Sequence, residues 1–398
     1  MTEAGPGMRW ASSHSTLSDS AAATDEAISA LRAGLGDSPP DLLLAFFGSA
    51  HVARAGDLGA TIRERLAPHC FLGVTANGVV TSDHELETGP GLSLIAARLP
   101  GVELKPFLVA QELWRDALAD AAAFDAAAPG ARDAELVLLF GDPFSLDIER
   151  VLAAFHRHAR GVRVVGGLAS AAARPRGNVV MLNDWTAHDG GVAIAMHGAL
   201  RVDVIVSQGC RPVGPSLTVT RAEGNLLLEL DGQPAVDRAE QVLRALEESE
   251  REALANGLYV GRPARIGAEG RGDWLIRNLL GADRSRGALA VADLIGEREK
   301  IRLHVRDRDT AREDLEMLLS PQAFDGRAGA ALLFACNGRG RGLYGAPDGD
   351  ITPLQTALGG VPVAGMFCAG EIGPVGERCF LHGHTASIAI VREAAPRP

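Results

Sequence analysis

The chain has 398 residues, too many for one ordinary core, so two domains are expected. Its 46% hydrophobic and 22% charged residues fit a soluble globular protein rather than a disordered one. With 50 acidic against 39 basic residues the net charge is −11, which argues against phosphate-backbone binding. No basic run with interleaved aromatics is present, so no nucleic-acid partner is expected.

The N-terminus, MTEAGPGMRWASSHSTLSDS, has no apolar core of a signal peptide, and no apolar stretch reaches membrane-spanning length. The five cysteines are scattered, with no C-x-x-C, which suits reduced thiols. A cytoplasmic protein without membrane contact is expected. Abundant arginine and alanine suggest a GC-rich bacterial genome.

Residues 1–25 read as a disordered tail. After them the same order of parts comes three times. A strand-like run opens each repeat: DLLLAFFGS (41–49), ELVLLFGDP (135–143) and AALLFACNG (330–338). A helix-compatible segment follows, then an apolar strand breaking into glycine and alanine: CFLGVTANG (70–78), VRVVGGLAS (162–170) and VPVAGMFCAGE (361–371). An outgoing strand closes each: GLSLIAARL (91–99), GGVAIAMHG (190–198) and HTASIAIVR (384–392). The first and second strands lie about 30 positions apart each time, room for a strand, a crossover helix and a strand. The expected fold class is α/β, with repeated strand-helix-strand units forming helix-covered sheets in two related domains.

Within the repeats, 146–160 places Ile148, Val151, Leu152 and Phe155 on one helical face. Thr352-Pro353-Leu354-Gln355 reads as a capping box opening a helix that stops at Gly359-Gly360. Between the second and third repeats, 216–230 reads as a hairpin around Glu223-Gly224-Asn225, and 234–255 as one amphipathic helix. Three strand candidates follow in 273–305, then a helix over 308–319. The domain boundary falls near 200–215, giving domains 26–210 and 211–394.

The stretch GRGRGLYGAPDGD (338–350) sets Arg339 and Arg341 among glycines at the end of a core strand. Gly340 to Gly345 matches G-x-G-x-x-G, but the dinucleotide reading needs a helix opening inside the motif and an acidic residue about 20 positions on; here Pro347 and a second turn intervene, and Glu371 lies 26 positions beyond Gly345. An anion cradle fits better: glycine N–H groups turn toward a ligand and arginine offers a planar fork. The alternative is a surface turn whose arginines pair with Asp348 and Asp350. Glu371, directly after an apolar strand, is either a polar anchor in the same cleft or a capping or ion-pair carboxylate. His382 and His384 read as hydrogen-bonding groups at a strand start; no further ligands nearby suggest a metal. Cys336 and Cys368 end neighbouring strands, as buried free thiols or as a nucleophile with a histidine partner.

CNGRGRGLYG, ALGGVPVAGMFCAGEIGPVG and LHGHTASIAI resemble the C-terminal half of FIST domain proteins. GALAVADLIGEREKIRLHVRDRDTAREDLEMLL (287–319) and GCRPVGPSLTVTRAEGNLLLELDGQPAVD (209–237) are similar to the same family, as are FFGSAH and VVGGLAS in the N-terminal half. The resemblance covers roughly residues 41 to 391. It implies a sensory or signal-transduction module that binds small ligands such as amino acids. It supplies no catalytic residues and no cofactor, and a stand-alone chain would pass its signal to a separate signalling protein. Cys368 stands where the family motif usually has serine or alanine. The resulting expectation is a binding site for an anionic or zwitterionic metabolite made by Asn337, Arg339, Gly340, Arg341, Gly342, Glu371 and His382. An enzyme with a cysteine nucleophile and a protein-docking module are its rivals.

Overall fold

The structure, a computed structural model, describes residues 7–394 apart from 266, 268, 269 and 271. The three sequence repeats become three six-stranded sheets of one plan. In each, the repeat's first two strands run parallel: Leu42–Phe47 beside Cys70–Thr75, Leu136–Gly141 beside Arg163–Leu168, and Ala330–Cys336 beside Val363–Cys368. The outgoing strands Leu92–Arg98, Gly191–Gly198 and Thr385–Glu393 pair antiparallel with the first strand of their own repeat. Arg9–Ser15, Val102–Val109 and Leu200–Gln208 complete that edge of the three sheets.

The other edge is exchanged between repeats. The hairpin Val180–Leu182/Trp185–Ala187 of the second repeat joins the first sheet. The hairpin Glu371–Val375/Arg378–His382 of the third joins the second sheet. The hairpin Val79–Val80/Glu85–Leu86 of the first joins the third sheet. The exchange closes a cycle, so no repeat has a complete sheet of its own.

Alternation along the central strands explains the layers. Leu42, Leu44 and Phe46, with Leu136, Leu138 and Phe140 and with Ala330, Leu332 and Phe334, face one shared core. The residues between them face outward into three separate cores, each capped by helices. Ser20–Leu35 and Ala55–Leu66 cover the first sheet, and Ala121–Ala127 and Ile148–His158 the second. Leu315, Leu319, Ile351 and Leu354 cover the third. The expected α/β class, with helix-covered sheets built from repeated strand-helix-strand units, is the observed one. Phe46, Phe140 and Phe334 meet edge-on in the shared core, with ring centroids 5.8, 6.2 and 5.5 Å apart.

Two compact units result. The first holds the chain to Val206, Leu315–Leu381 and the chain from Thr385; the second holds Ser207–Asp314 and His382–His384. All three repeats thus belong mainly to the first unit. The second is an antiparallel seven-stranded sheet whose strand Cys210–Glu223 pairs with both Lys300–Arg306 and Leu226–Leu230, closing it into a barrel. Leu217, Val260, Ile301, Leu303 and Val305 fill it together with Val236, Ala239 and Val242 of the helix Ala235–Ala245.

Several local readings hold: the hairpin turn at Gly224, the three strands after residue 273, and helices at Ile148–His158 and Arg308–Leu319. Three are corrected. The expected tail carries the strand Arg9–Ser15 and the start of the helix Ser20–Leu35. Its serines conceal the alternation, and Ser13 donates from its buried hydroxyl to the Ala27 carbonyl at 2.7 Å; residues 1–6 lie outside the described residues. The single helix over 234–255 is two, Ala235–Ala245 and Glu248–Ala253, because Leu246 turns extended and packs into the barrel core. The third correction, at the capping box, belongs to the site.

Candidate functional site

The strand Ala330–Cys336 runs out between Val363–Cys368 and Thr385–Glu393. Cys336 and Cys368 are register partners at its end. The chain then turns through Asn337 to Gly340, makes one helical turn over Arg341–Tyr344, and enters the helix Ile351–Leu358. Onto these turns the first repeat's hairpin delivers Glu85 and Glu87.

Arg339 is 1% exposed. Its Nε and Nη2 donate to the two carboxylate oxygens of Asp350 at 2.8 and 2.6 Å, and Nη2 also reaches the Tyr344 hydroxyl at 2.6 Å. Tyr344 in turn donates to Asp350 at 2.8 Å. Burial alone would lower the guanidinium pKa, but the charge of Asp350 outweighs it and holds Arg339 ionised. One of the two sequence alternatives for this arginine, the ion pair with Asp350, is therefore realised. Asp348 instead accepts the Glu85 N–H at 2.7 Å and meets His84 at 3.2 Å.

The amides of this loop are also taken. Glu85 Oε1 accepts the N–H groups of Asp350 and Ile351 at 2.7 and 2.8 Å. That is why Thr352 caps nothing: the helix starts at Ile351, its first amides are satisfied by a glutamate from another repeat, and Gln355 turns to the Ser82 and Val361 carbonyls. Glu87 accepts the Arg341 N–H at 2.9 and 3.0 Å, while Arg341 and Gly342 are exposed. At Gly340, φ is +59°, and a Cβ would come within 2.5 Å of the Glu87 carboxyl carbon. The glycine is needed for this approach, and the anion at this amide is the protein's own.

Beside the ion pair the polar groups are incompletely satisfied. Glu371 is fully buried; its Oε2 accepts the backbone N–H and the hydroxyl of Thr385 at 3.2 and 2.9 Å. The Cys336 thiol also bonds to Glu371, and Arg339 lies close enough to act on it electrostatically. Oε1 of Glu371, Nη1 of Arg339 and Oε2 of Glu85 have no hydrogen-bond partner among the described residues. Burial pushes Glu371 up to about 8, against the pull of the Thr385 bonds and the charge of Arg339. Burial, then Asp350, push Glu85 up to about 8 as well, so at neutral pH both carboxyls are largely protonated. Burial, then Glu371, raise Cys368 well above the ordinary thiol range. Cys336 is half-buried and Asn337 exposed, so this end of the strand reaches solvent.

The first unit thus brings Cys336, Arg339 and Glu371 together, with Asn337 at the rim. His382 is buried and grouped with the second unit. Sequence reading missed Glu85, Glu87 and Thr385. No local pattern marks them, since each reaches the site through strand pairing. Among the described residues no group of three or more His, Cys, Asp or Glu is placed to hold a metal ion, and no helix is long and apolar enough to cross a membrane.

Two family models match the chain, the FIST N domain over residues 41–233 and the FIST C domain over residues 235–374. An uncharacterized protein of Mycobacterium bovis is 35% identical over 380 residues, covering 94% of this chain and 96% of that protein. One from Mycobacterium tuberculosis is 35% identical over 381 residues, covering 94% and 97%. Among solved structures, a cyanuric acid hydrolase described as an innovation by structural concatenation aligns with a TM-score of 0.33 and 10% identity, over 98% of this chain and 100% of that one.

Proposed function

The chain belongs to the FIST family, and from that premise we propose that it is a cytoplasmic sensory protein that binds a small zwitterionic metabolite, such as an amino acid, at Arg339, Glu371 and Cys336. The observation that carries the reading is the pair of unsatisfied buried atoms, Nη1 of Arg339 and Oε1 of Glu371, beside a half-exposed thiol. A buried polar group left unpaired costs about 1–3 kcal/mol, which a ligand supplying the missing partner restores. A ligand carboxylate accepts from Nη1. A ligand ammonium gives Glu371 the cation it lacks and draws it into the ionised form.

Asp350 already neutralises Arg339, so the site offers a directed donor rather than net positive charge. That favours a zwitterion over a free phosphate or a dicarboxylate. The bound site would pass its signal to a separate signalling protein.

The test is calorimetric titration of the protein with amino acids, dicarboxylates and inorganic phosphate, beside Glu371→Gln. The expected result is binding of at least one amino acid, weakened tenfold or more in the variant, a loss of about 1.4 kcal/mol or more. Equal affinity in the variant, or no binding by any amino acid, overturns the reading.

A further inference from the structure

The second unit carries a separate cavity of about 330 Å³ on the outer side of its barrel, lined by Gln208, Cys210, Arg211, Gly272, Trp274 and His304, among others. The strand Lys300–Arg306 explains how it arises. Ile301, Leu303 and Val305 point into the barrel core, so His304 faces the other way, opposite Pro212 and Tyr259 in the register. Cys210, Trp274 and Ile276 form a small apolar cluster on that outer face, with Tyr259 packed against it. Gly261 leaves room for the imidazole, since a Cβ there would stand 2.3 Å from His304 Cε1.

Two polar side chains in this lining are buried and incompletely paired. His304 is 1% exposed and Gln208 5%. Nδ1 of His304 lies 3.0 Å from the Arg302 carbonyl and must donate to it, so Nε2 carries the lone pair and has no partner among the described residues. Burial lowers the His304 pKa to about 4, which keeps the ring neutral. The Gln208 amide nitrogen donates to the Trp274 carbonyl at 3.0 Å, leaving its oxygen as a second acceptor without a partner among the described residues. Among the described residues of the lining the cation is Arg211, bound to Asp307 at 3.0 Å. Among the described residues the cavity therefore shows two unsatisfied acceptors, an indole, and no uncompensated positive charge. An anion would meet two lone pairs. A flat, uncharged molecule bearing N–H donors would meet partners for those donors and an aromatic surface for its body.

We propose that this cavity is a second ligand site, distinct from the Glu371 site, that takes a small planar carboxamide or amino-heterocycle, with Gln208 Oε1 and His304 Nε2 accepting its N–H groups and Trp274 packing against its face. The probes are 9-methyladenine and benzamide, each with a partner of the same shape lacking N–H donors, 9-methylpurine and acetophenone. They are titrated calorimetrically into the full chain, into Gln208→Met and into His304→Phe. Quenching of tryptophan emission, compared with Trp274→Phe, reports where they bind.

The expected result is that at least one donor-bearing probe binds, at least tenfold more tightly than its donor-free partner, that both variants lose at least tenfold in affinity for it, and that the quenching disappears in Trp274→Phe. Should His304→Phe fail to fold, Gln208→Met alone decides. The proposal is overturned if neither donor-bearing probe binds at millimolar concentration, if donor-free partners bind equally well, or if the folded variants bind as the unaltered chain does.

Discussion

Arg339 and Asp350 form a two-pronged ion pair, 2.8 and 2.6 Å long, from which solvent is excluded at both ends. Removing one partner of such a pair strands a buried charge and costs about 3–5 kcal/mol. Arg339→Ala is therefore expected to lower the urea midpoint sharply. Arg341→Ala, at an exposed position, should fall within about 0.5 kcal/mol of the unaltered chain. Comparable losses in the two variants would show that Arg339 is not the buried partner described.

The two raised carboxyls make stability depend on pH in a defined direction. Glu371 and Glu85 each move from an ordinary 4.5 to about 8 on folding. Below pH 4.5 both are protonated in either state, and their contribution is fully present. As pH rises toward 8 the unfolded chain ionises while the folded one holds its protons, so that contribution is lost. Urea unfolding at pH 5.5 and 8.5 should show the unaltered chain losing more stability on going up than Glu371→Gln does. Parallel losses would mean that Glu371 is not held protonated.

The approach of Glu87 to Gly340 is testable by a double-mutant cycle. Gly340→Ala meets both the Glu87 carboxyl and a positive-φ backbone, the latter alone worth about 1–3 kcal/mol. In a Glu87→Ala background the steric part is gone, so the glycine substitution should cost less there. A strictly additive cycle would contradict the contact.

Thiol chemistry separates Cys336 from the rest. Cys70, Cys210, Cys368 and Cys379 are buried, and burial pushes Cys70 up to about 12 and Cys379 up to about 11. A thiol reagent should label Cys336 first in the native protein, and a ligand at Glu371 should slow that labelling. Fast labelling of Cys368 instead would reverse the assignment of which thiol faces the opening.

Phe46, Phe140 and Phe334 occupy matching places in the three repeats and meet in one core. Each Phe→Ala change is expected to cost about 3–5 kcal/mol, and the double variants should be non-additive because the rings touch. Calorimetric unfolding would detect it; a small effect at any one position would argue against a common centre for the three sheets.

Much of this architecture was written locally. Strands such as LLLAFF and LVLLFG are runs of apolar residues long enough for a strand buried on both faces, and the Ile148–Phe155 spacing makes a one-sided helix wherever it packs. Three such sets in the same order specify three similar sheets. The strand under the N-terminal serines was not legible, because small polar residues hide a period of two. The role of His304 was not legible either. In KIRLHVR the alternation assigns it to the face away from the barrel core, and only the packing of Trp274 and Cys210 buries that face.

The loop at 338–350 shows the division most clearly. Its glycines and arginines announced backbone turned toward an anion, and the sequence determined that much, because conformational freedom and charge belong to the residues themselves. Which acceptor arrives was decided by the exchange of hairpins, which carries the carboxyl groups of Glu85 and Glu87 from the first repeat to the third sheet. Burial then made Arg339 the partner of Asp350 and held Glu371 protonated. Desolvation and long-range pairing are properties of the packed chain, set by neighbours hundreds of positions away, and no local pattern encodes them.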